Sequence, residues 1–561
     1  MMVQREYSGL LEGFRGTDGK LLPILHKFQN TYGYVNHQMH LAISQALGIP
    51  VTEVASVQSY YQFFTEKPQG KYVILLCSRA ACHVAGADDL LAAWEKALDI
   101  RAGETTPDGN YTLLTTGCLG ACDIAPAVNI NGTVIGPVAP EQVSELLAHL
   151  DENLTAERKA PISEYVSAGG YEGLKRALAC PEKIILQVKE SGLRGRSGSG
   201  FPVGVKWETT VAAKVDEKYI VCNADEGEPE TAKDHKILRQ TPYAVLEGMV
   251  IAAAAVGARK GYLYLRKEYE ALVPVIEDAI SQAKAASYLG DYICGTDFCF
   301  DVELCLGAGA YLCGEETALL ESIEGKRGKT RLKPPFPGAV GLGGKPTVIN
   351  NVETLAAVTQ VMRDGAAAYR AQGTERCPGV KKMTVSGAVN APDVYDIPIG
   401  TKVWEILENY AGGVQDGKKL LAIQTGGASG PIVTPAFLET SFDIENAAAA
   451  GGSFGTGSLM FVSEDTDLIG LLINLEEFFA EESCGTCTPC RVGLVHLVGL
   501  LKKLASGEGI WETVDDIFEL ADQIRQTARC AFGTAAVTPV LSMLTNFKSV
   551  IEEKAQRGGA C

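Results

Sequence analysis

The segment ESCGTCTPCRVG, residues Glu482–Gly493, carries three cysteines at C-x2-C-x2-C spacing. Cys484, Cys487 and Cys490 can wrap around one corner of a [4Fe–4S] cube, which needs a fourth thiolate from elsewhere. Cys530, in the segment RCAFGTAA, is the natural candidate for that ligand. Zinc sites also use C-x2-C pairs, but a zinc ribbon requires two of them. An iron–sulfur cluster is the preferred interpretation, with zinc or free thiols as alternatives.

A second and sparser set of four cysteines lies in the first quarter of the chain. Cys77 and Cys82 form a C-x4-C pair, and Cys118 and Cys122 form a C-x3-C pair in a glycine-rich turn. Two ligands on each of two loops suit a [2Fe–2S] cluster. His83 follows the second cysteine, but a Rieske centre needs two histidines on one iron. We therefore expect His83 to take no part in the site.

Composition and charge narrow the class of protein. The chain has 561 residues, which is too long for one hydrophobic core, and its net charge is −18. Such an acidic surface disfavours binding to nucleic acid. The apolar stretch near Gly248–Gly257 is about half of the roughly 20 residues that a bilayer requires, and residues 1–6 do not resemble a secretory signal. We expect a cytoplasmic protein without direct membrane insertion, held at the cytoplasmic face of a membrane, if at all, through partner subunits.

Hydrophobic periodicity divides the chain into segments. Apolar residues at helical spacing predict helices at Leu21–Gly33 and His37–Leu47, and a continuous apolar run predicts a strand at Tyr72–Cys77. Further strand-like pieces lie at Tyr111–Thr115 and Val128–Ile135. The polar residues 151–165 are typical of a linker. Strands then alternate with long apolar helices over 166–378, short strands follow over 379–455, and residues 456–561 are mostly helical.

Three loops combine glycine with charged residues. They are GRSGSGFPVG (Gly195–Gly204), CNADEGE (Cys222–Glu228) and GAGAYLCGEE (Gly307–Glu316). The first matches neither the dinucleotide fingerprint nor the P-loop, and each segment alone could be a surface turn. Because the second and third follow predicted strands, all three could meet where ligands collect in an open α/β sheet. Acids there would bind ribose hydroxyls and repel a 2′-phosphate.

The longer motifs around these loops resemble two subunits of respiratory complex I. Residues 1–150 are similar to its thioredoxin-like 24-kDa-type [2Fe–2S] subunit, and residues 166–561 resemble its 51-kDa-type NADH-binding flavoprotein subunit. The resemblance is carried by SGLRGRSGSGFPVGVKW, CNADEGEPETAKDH, GAGAYLCGEETALLESIEGKRGKTRLKPPFP, INNVET and ESCGTCTPCRVG. It covers nearly the whole chain, which looks like a fusion of the two.

The resemblance implies a multidomain α/β fold. N-terminal helices and a thioredoxin-like [2Fe–2S] domain would span 1–150, followed by the linker 151–165. A Rossmann-like domain for FMN and NADH would span 166–378, a β-grasp module of the SLBB type 379–455, and a helical [4Fe–4S] domain 456–561.

The resemblance also implies the site residues. Residues carried over as FMN contacts are Gly195, Arg196, Gly198, Lys206, Asn223, Asp225, Glu226, Gly314, Glu315, Asn350, Asn351 and Thr354. Those placed around NADH are Phe201, Glu316, Lys333 and Phe336. The cluster ligands fall on the eight cysteines chosen from spacing. No catalytic acid or base is expected, because the hydride passes directly to FMN.

The implied function is electron input from NADH. A hydride would pass to FMN, and single electrons would then leave through the [4Fe–4S] and [2Fe–2S] clusters to further iron–sulfur subunits, as in NADH:quinone oxidoreductase. The alternatives are a diaphorase subunit of an NAD-dependent formate dehydrogenase or NAD-reducing hydrogenase, or a non-catalytic electron-transfer subunit. The sequence departs from the family pattern at five positions, which are Ser197, Thr209, Glu230, Ala232 and His235.

Overall fold

The computed structural model describes residues 7–14, 21–150, 157–508 and 510–558. Its N-terminal part is helical, as the periodicity predicts. The second helix runs over Leu21–Tyr32, and the third, His37–Leu47, is capped by Asn36, whose side chain accepts a hydrogen bond from the Met39 amide at 3.1 Å. The helices here are Ser8–Leu11, Leu21–Tyr32, His37–Leu47 and Val51–Gln58.

A four-stranded sheet follows, with strand order β2-β1-β3-β4. Its strands are β1 Tyr72–Cys77, β2 Tyr111–Thr116, β3 Val128–Ile130 and β4 Thr133–Ile135. The single strand expected over Val128–Ile135 is a hairpin instead, because Asn131 and Gly132 both adopt positive φ, at 49° and 91°. Helices Ala80–Val84, Ala87–Leu98 and Val143–Ala148 complete this thioredoxin-like unit.

The expected linker differs from the structure at its end. Residues 151–156 lie outside the described residues, whereas a helix begins at Ile162 and ends at Ser167. Tyr165 donates a hydrogen bond to Glu247 Oε2 at 2.5 Å, and the Ile162 amide donates to Gln282 Oε1 at 2.9 Å. An isoleucine and a tyrosine in this otherwise polar stretch therefore tie the segment to the next domain.

The second domain contains an all-parallel sheet of strand order β7-β6-β5-β8. The strands are β5 Tyr219–Ala224, β6 Lys260–Leu265, β7 Asp301–Leu306 and β8 Thr347–Asn351. The helices are Glu172–Ala179, Ile184–Glu190, Val203–Ala212, Lys233–Gln240, Pro242–Val256, Val273–Ala285, Glu316–Ile323, Val352–Asp364 and Ala366–Arg370. Pro242–Val256 is apolar almost throughout because it is buried on nearly all sides.

The third unit is a mixed five-stranded sheet of order β10-β9-β13-β11-β12. Its strands are β9 Val380–Gly387, β10 Asp393–Pro398, β11 Leu420–Thr425, β12 Ile432–Val433 and β13 Leu459–Ser463. Because β13 pairs with both β9 and β11, the sheet runs past residue 455, where we expected the module to end. Short helical segments accompany it at Val403–Glu405, Ile406–Tyr410 and Ile444–Ala449.

The last part of the chain is helical. Its first helix, Leu468–Glu481, packs against the next one and also against Ala80–Val84 of the thioredoxin-like unit, so it joins the two ends of the chain. Seven buried hydrophobic side chains of that first helix belong to the shared core, namely Leu468, Ile469, Leu471, Leu472, Leu475, Phe478 and Phe479. The elements are Leu468–Glu481, Pro489–Leu494, Val495–Ala505, Ile510–Thr527, Ala531–Ala536, Thr538–Asn546 and Lys548–Gly558.

Candidate active site

A cavity of about 350 Å³ lies where the three predicted loops meet. It lies beside the carboxyl ends of β5 and β8, and the helix Ala531–Ala536 contributes part of its wall. Its walls are Ser197, Ser199, Asn223, Asp225, Glu226, Gly227, Glu228, Thr231, Lys233, Asp234, Tyr311, Leu312, Gly314, Glu315, Asn351, Thr456, Ala531, Phe532 and Ala535. The segments that the sequence singled out separately thus form one site.

The glycine-rich loop contributes two serines, Ser197 and Ser199, to the wall of this cavity. The Gly195 amide donates to the Phe201 carbonyl at 2.9 Å, which closes the loop on itself. Gly198 has a φ of 134°, a conformation that side chains rarely adopt. Ser197, one of the departures from the family pattern, stands on the cavity wall.

Arg196 is placed differently from a side chain that would contact a ligand. Its guanidinium is buried and donates to the Tyr369 hydroxyl at 2.6 Å and to the Pro378 carbonyl at 3.0 Å. Its amide donates to Thr354 Oγ1 at 2.9 Å. Arg196 and Thr354 therefore fix the glycine-rich loop against the helix Val352–Asp364.

The acidic turn after β5 supplies one wall. Asn223 donates to the Gly314 carbonyl at 2.8 Å and accepts from the Asp225 amide at 3.0 Å, which joins two of the loops. Among the described residues no group hydrogen-bonds the buried Asp225 Oδ2. Burial raises the pKa of Asp225 well above its usual value. Asp225 lines the cavity, and a buried polar atom without a partner there is one that a bound polar ligand would satisfy.

Glu226 is occupied by the protein itself. Its carboxylate accepts hydrogen bonds from the Asp234 amide at 2.9 Å, from the His235 amide at 3.2 Å and from the Tyr269 hydroxyl at 3.0 Å. Burial, together with the charge of Asp234, raises its pKa to about 7.

Asn350 and Asn351 also hold the frame of the site. Asn350 Oδ1 accepts from the Trp207 indole at 2.8 Å. Asn351 Oδ1 accepts from the Glu353 amide at 3.0 Å and from Lys233 at 3.1 Å. Gly314 leaves room beside the Asp225 carbonyl, because a Cβ there would lie 3.1 Å from that oxygen. Glu315 caps the helix Glu316–Ile323 by accepting from the amides of Thr317 and Ala318.

Two lysines and two glutamates, linked by ion pairs, form a charged rim that meets the cavity at Glu315. Lys206 pairs with Glu316 at 2.8 Å, and Lys333 bridges Glu315 and Glu316 at 2.7 Å and 2.8 Å. Burial opposes the charge of Glu316, but the attraction of Lys206, followed by that of Lys333, lowers its pKa to about 2. Glu316 therefore stays ionised at neutral pH.

The aromatic residues assigned to NADH are exposed. Phe201 is 51% and Phe336 60% exposed, far more than a core phenylalanine. Neither lines the 350 Å³ cavity. Each lies near one lysine of the rim in the chain: Lys206 follows Phe201 in the helix Val203–Ala212, and Lys333 precedes Phe336 on the same loop.

Sequence reasoning missed several residues of the site. Glu228 accepts from the Tyr311 hydroxyl and, at 2.7 Å, from the Ser429 amide, so it ties the acidic turn to two other loops. Phe532 reaches the cavity from the C-terminal helical part. Tyr311 lies inside a quoted motif, but nothing in the spacing shows which of its residues turn inward.

The first four cysteines converge. Cys118 and Cys122 have their sulfurs 3.6 Å apart, and the Cys77 thiol is within hydrogen-bond reach of Cys82 and Cys118. All four are buried. The hydrogen bond with Cys118, followed by burial, raises the pKa of Cys122 well above its ordinary value. Four buried thiols that converge in this way fit the donor set of a [2Fe–2S] cluster, whose iron would hold them as thiolates.

The second set of cysteines is more open to solvent. Cys490 is buried, whereas Cys484, Cys487 and Cys530 are half-buried. The Cys487 and Cys490 thiols are within hydrogen-bond reach, and the charges of the other two act on Cys490. Gly533 is required there, because a Cβ on it would lie 2.6 Å from Cys490 Sγ.

A single metal ion would need closer convergence. Within the described part of the chain, no three His, Cys, Asp or Glu side chains are arranged to hold one metal ion. An iron–sulfur cluster instead spreads its four thiolates over two or more iron atoms.

No described helix is long and apolar enough to cross a bilayer.

Family comparisons divide the chain in the same way. Residues 8–151 match the thioredoxin-like [2Fe-2S] ferredoxin, residues 188–360 the Nuo51 FMN-binding domain, and residues 471–554 the NADH-ubiquinone oxidoreductase-F iron-sulfur binding region.

Individual relatives match different shares of the chain. The NAD-reducing hydrogenase HoxS subunit alpha of Cupriavidus necator is 36% identical over 98% of this chain and 94% of its own length. The F-type subunit of the NADH-quinone oxidoreductase of Escherichia coli is 42% identical over 70% of this chain and 89% of its own length. A crystal structure of an NAD+-reducing [NiFe]-hydrogenase in the H2-reduced state superposes with a TM-score of 0.86 at 33% identity, covering 96% of this chain and 94% of that one.

Proposed function

The chain belongs to the family of NADH-oxidising flavoproteins that carry FMN, [2Fe–2S] and [4Fe–4S] domains, and we propose that it is the diaphorase subunit of a larger redox enzyme. The family's members are subunits of multisubunit complexes, and its activity is NADH dehydrogenation.

The share of the chain that each relative matches favours a hydrogenase complex over a quinone reductase. The hydrogenase subunit alpha matches 98% of the chain, including the N-terminal [2Fe–2S] part, whereas the F-type subunits of quinone oxidoreductases match about 70%. One chain with all of these domains is thus similar to the diaphorase of an NAD-reducing hydrogenase. A formate dehydrogenase partner and a quinone reductase are the competing assignments.

The residues around the cavity would bind and orient the ligands. When bound, FMN accepts a hydride from NADH and releases electrons singly to iron–sulfur clusters. We propose that Asn223, Asp225 and the backbone of the glycine-rich loop hold the flavin, with Gly314 leaving the space for it. Arg196, Glu226, Asn350 and Thr354 would act indirectly, by keeping those loops in place.

The charged rim would receive the nucleotide. Lys206 and Lys333 supply positive charge, and Glu316 between them can accept hydrogen bonds from a ribose. Because Glu316 is ionised, it would repel a 2′-phosphate and favour NADH over NADPH. The exposed rings of Phe201 and Phe336 offer flat apolar surfaces to the bases.

The helix Ala531–Ala536 links the cavity to the electron exit. It begins directly after Cys530, and its Phe532 lines the cavity. We propose that Cys484, Cys487, Cys490 and Cys530 hold the [4Fe–4S] cluster and that Cys77, Cys82, Cys118 and Cys122 hold the [2Fe–2S] cluster. The [4Fe–4S] cluster would then be the first acceptor of electrons from the flavin.

Anaerobic native purification tests the assignment of the complex. Mass spectrometry of the co-eluting chains should show a hydrogenase catalytic subunit and its small iron–sulfur subunit. A formate dehydrogenase chain would keep the diaphorase role and change its substrate, whereas membrane subunits would overturn the proposal in favour of a quinone reductase. Bleaching of flavin absorbance by NADH distinguishes all of these from a non-catalytic subunit.

We also propose a cytoplasmic location, with any attachment to a membrane made through partner subunits. The support is the substrate, since NADH is an intracellular cofactor. Fractionation of cells, with immunodetection of the chain in the cytosolic and membrane fractions before and after a salt wash, tests this.

A further inference from the structure

Arg266 lies between the two halves of the cofactor chain. It follows β6, and its guanidinium donates to the Cys118 carbonyl at 2.6 Å and to the Glu226 carbonyl. The first contact is on the loop of the [2Fe–2S] cysteines, and the second is on the wall of the flavin cavity. One side chain therefore joins the thioredoxin-like unit to the FMN-binding domain.

The neighbouring residues hold this side chain in place. Glu268 pairs with Arg266 at 2.9 Å and accepts a second hydrogen bond from its Nε at 3.0 Å. The Tyr269 ring lies 5.1 Å from the guanidinium, and its hydroxyl donates to Glu226 Oε2. Gly120, two residues after Cys118, packs so closely on Tyr269 that a Cβ there would lie 2.0 Å from the hydroxyl oxygen.

The charge of Arg266 is buried, with only 4% of the residue exposed. In so dry an environment a full charge acts strongly on its neighbours because little water screens it. An iron–sulfur cluster gains one negative charge when it takes up one electron, and its potential depends on nearby charge and hydrogen bonding. A cation anchored on the carbonyl of one ligand cysteine favours the reduced cluster.

We propose that Arg266 is a positioning residue that raises the reduction potential of the [2Fe–2S] cluster, and that Glu268 attenuates this effect. The inference rests on the proposed ligand set. The pair adjusts how readily the cluster accepts a single electron, with no proton transferred. Burial raises the pKa of the other carboxyl groups of this region, Asp225, Glu226 and Glu482, so all variants are compared at one fixed pH.

A series of charge variants tests the proposal on the full chain with its clusters. Arg266→Gln removes the cation, Arg266→Lys retains it, and Glu268→Gln removes the counter-charge. Redox titration with dithionite and mediators, followed by EPR of the [2Fe–2S] signal, gives the midpoint potential without using NADH. We expect Arg266→Gln to lower, and Glu268→Gln to raise, the one-electron equilibrium constant at least tenfold, which is about 59 mV. Arg266→Lys should stay near the wild type.

Two controls separate charge from damage. The [4Fe–4S] potential in the same samples should not move, and Arg331→Gln, which breaks ion pairs with Glu321 and Glu324, should leave the [2Fe–2S] potential unchanged. Equal shifts in the Lys and Gln variants, or shifts of the same sign for Arg266→Gln and Glu268→Gln, would overturn the proposal.

If Arg266→Gln failed to retain its [2Fe–2S] cluster, its potential could not be measured. Arg266→Lys and Glu268→Gln would then test the proposal. If Glu268→Gln then failed to raise the potential, the proposal would be wrong. Since the measurement needs neither NADH nor a partner chain, its failure is distinguishable from failure of the diaphorase assignment.

Discussion

The two cysteine sets differ in what surrounds them. Cys77, Cys82, Cys118 and Cys122 are all buried, with exposures of 3% or less, and a buried arginine contacts their loop. In the other set only Cys490 is buried. Beyond it the helical surface exposes Val492 and Val495, at 54% and 61%.

If each cysteine set holds its proposed cluster, this difference in burial would give the two clusters separate tasks. The charges of the protein dominate the potential of a buried cluster, because solvent cannot screen them. A half-exposed cluster lies within reach of another chain, so it can pass electrons on. We therefore expect the [4Fe–4S] site to be the exit and the [2Fe–2S] site to be internal.

Removing the exposed cluster should have the largest effect. In Cys530→Ala the [4Fe–4S] EPR signal should disappear, and electron delivery to the co-purified partner should fall to background. NADH should still bleach the flavin, because the cavity retains its walls. Cys299→Ala, which changes a half-buried cysteine outside both sets, is the matched control and should behave as wild type. Full partner reduction by Cys530→Ala would place the exit elsewhere.

Removing the buried cluster should slow electron delivery to the partner less than removing the [4Fe–4S] cluster does. Cys122→Ala should abolish the [2Fe–2S] signal but lower the rate of partner reduction by less than about tenfold, or ~1.4 kcal/mol in activation free energy. The reason is that the helix after Cys530, and not the Cys118 loop, lines the flavin cavity. Stopped-flow reduction of the complex by NADH measures this rate. If both cysteine variants lost it equally, the two clusters would act in series.

Glu316 allows the same comparison of buried and exposed charge at the proposed nucleotide site. Its carboxylate is paired with Lys206 and Lys333 at the half-exposed charged rim. Glu316→Gln should leave FMN content unchanged and reduce the preference for NADH over NADPH about tenfold in kcat/KM, because the repelling carboxylate is gone and Lys206 loses its partner, while Lys333 keeps only Glu315. Steady-state kinetics with both nucleotides measure this. Glu208→Gln, which breaks an exposed pair with Lys189, is the control. An unchanged ratio together with lost FMN would move Glu316 into the flavin site.

Much of the fold followed from local patterns in the sequence. The run YVILLC predicted a strand that ends at Cys77, and the structure has that strand, β1. Motifs also indicated which loops would meet, since the ends of neighbouring parallel strands share one edge of the sheet. Cysteine spacing predicted ligand sets that the structure brings together, and their roles stay a prediction.

What the sequence could not provide is the direction of each side chain. Arg196 stands in the glycine-rich loop, yet its guanidinium points to Tyr369, a residue that no motif contains. Arg266 lies outside every quoted motif, so its contact with Cys118 was invisible. Glu230 occupies a position with a φ of 71°, in the backbone region that favours glycine, and its spacing alone does not show this.

The helix Leu468–Glu481 between the two cluster sites allows the smallest and sharpest test. Glu476 is fully buried, and neither of its carboxylate oxygens has a hydrogen-bond partner among the described residues. Burial raises its pKa well above the ordinary value. The folded chain therefore keeps a proton that the unfolded chain releases above a pKa of about 4.3, so stability falls as the pH rises.

Glu476→Gln should remove this penalty. The variant should match wild type near pH 4 and gain about 1.4 kcal/mol of unfolding free energy per pH unit above that, until the folded-state pKa is reached. Guanidinium unfolding of both chains between pH 4 and pH 8 measures the difference. Glu481 lies on the same helix and pairs with Arg79 of the thioredoxin-like unit at 2.6 Å. Glu481→Gln loses this ion pair and should show no such gain in unfolding free energy. If the difference in unfolding free energy did not depend on pH, Glu476 would be ionised in the folded chain. The interior near Glu476 would then hold a charge without a partner.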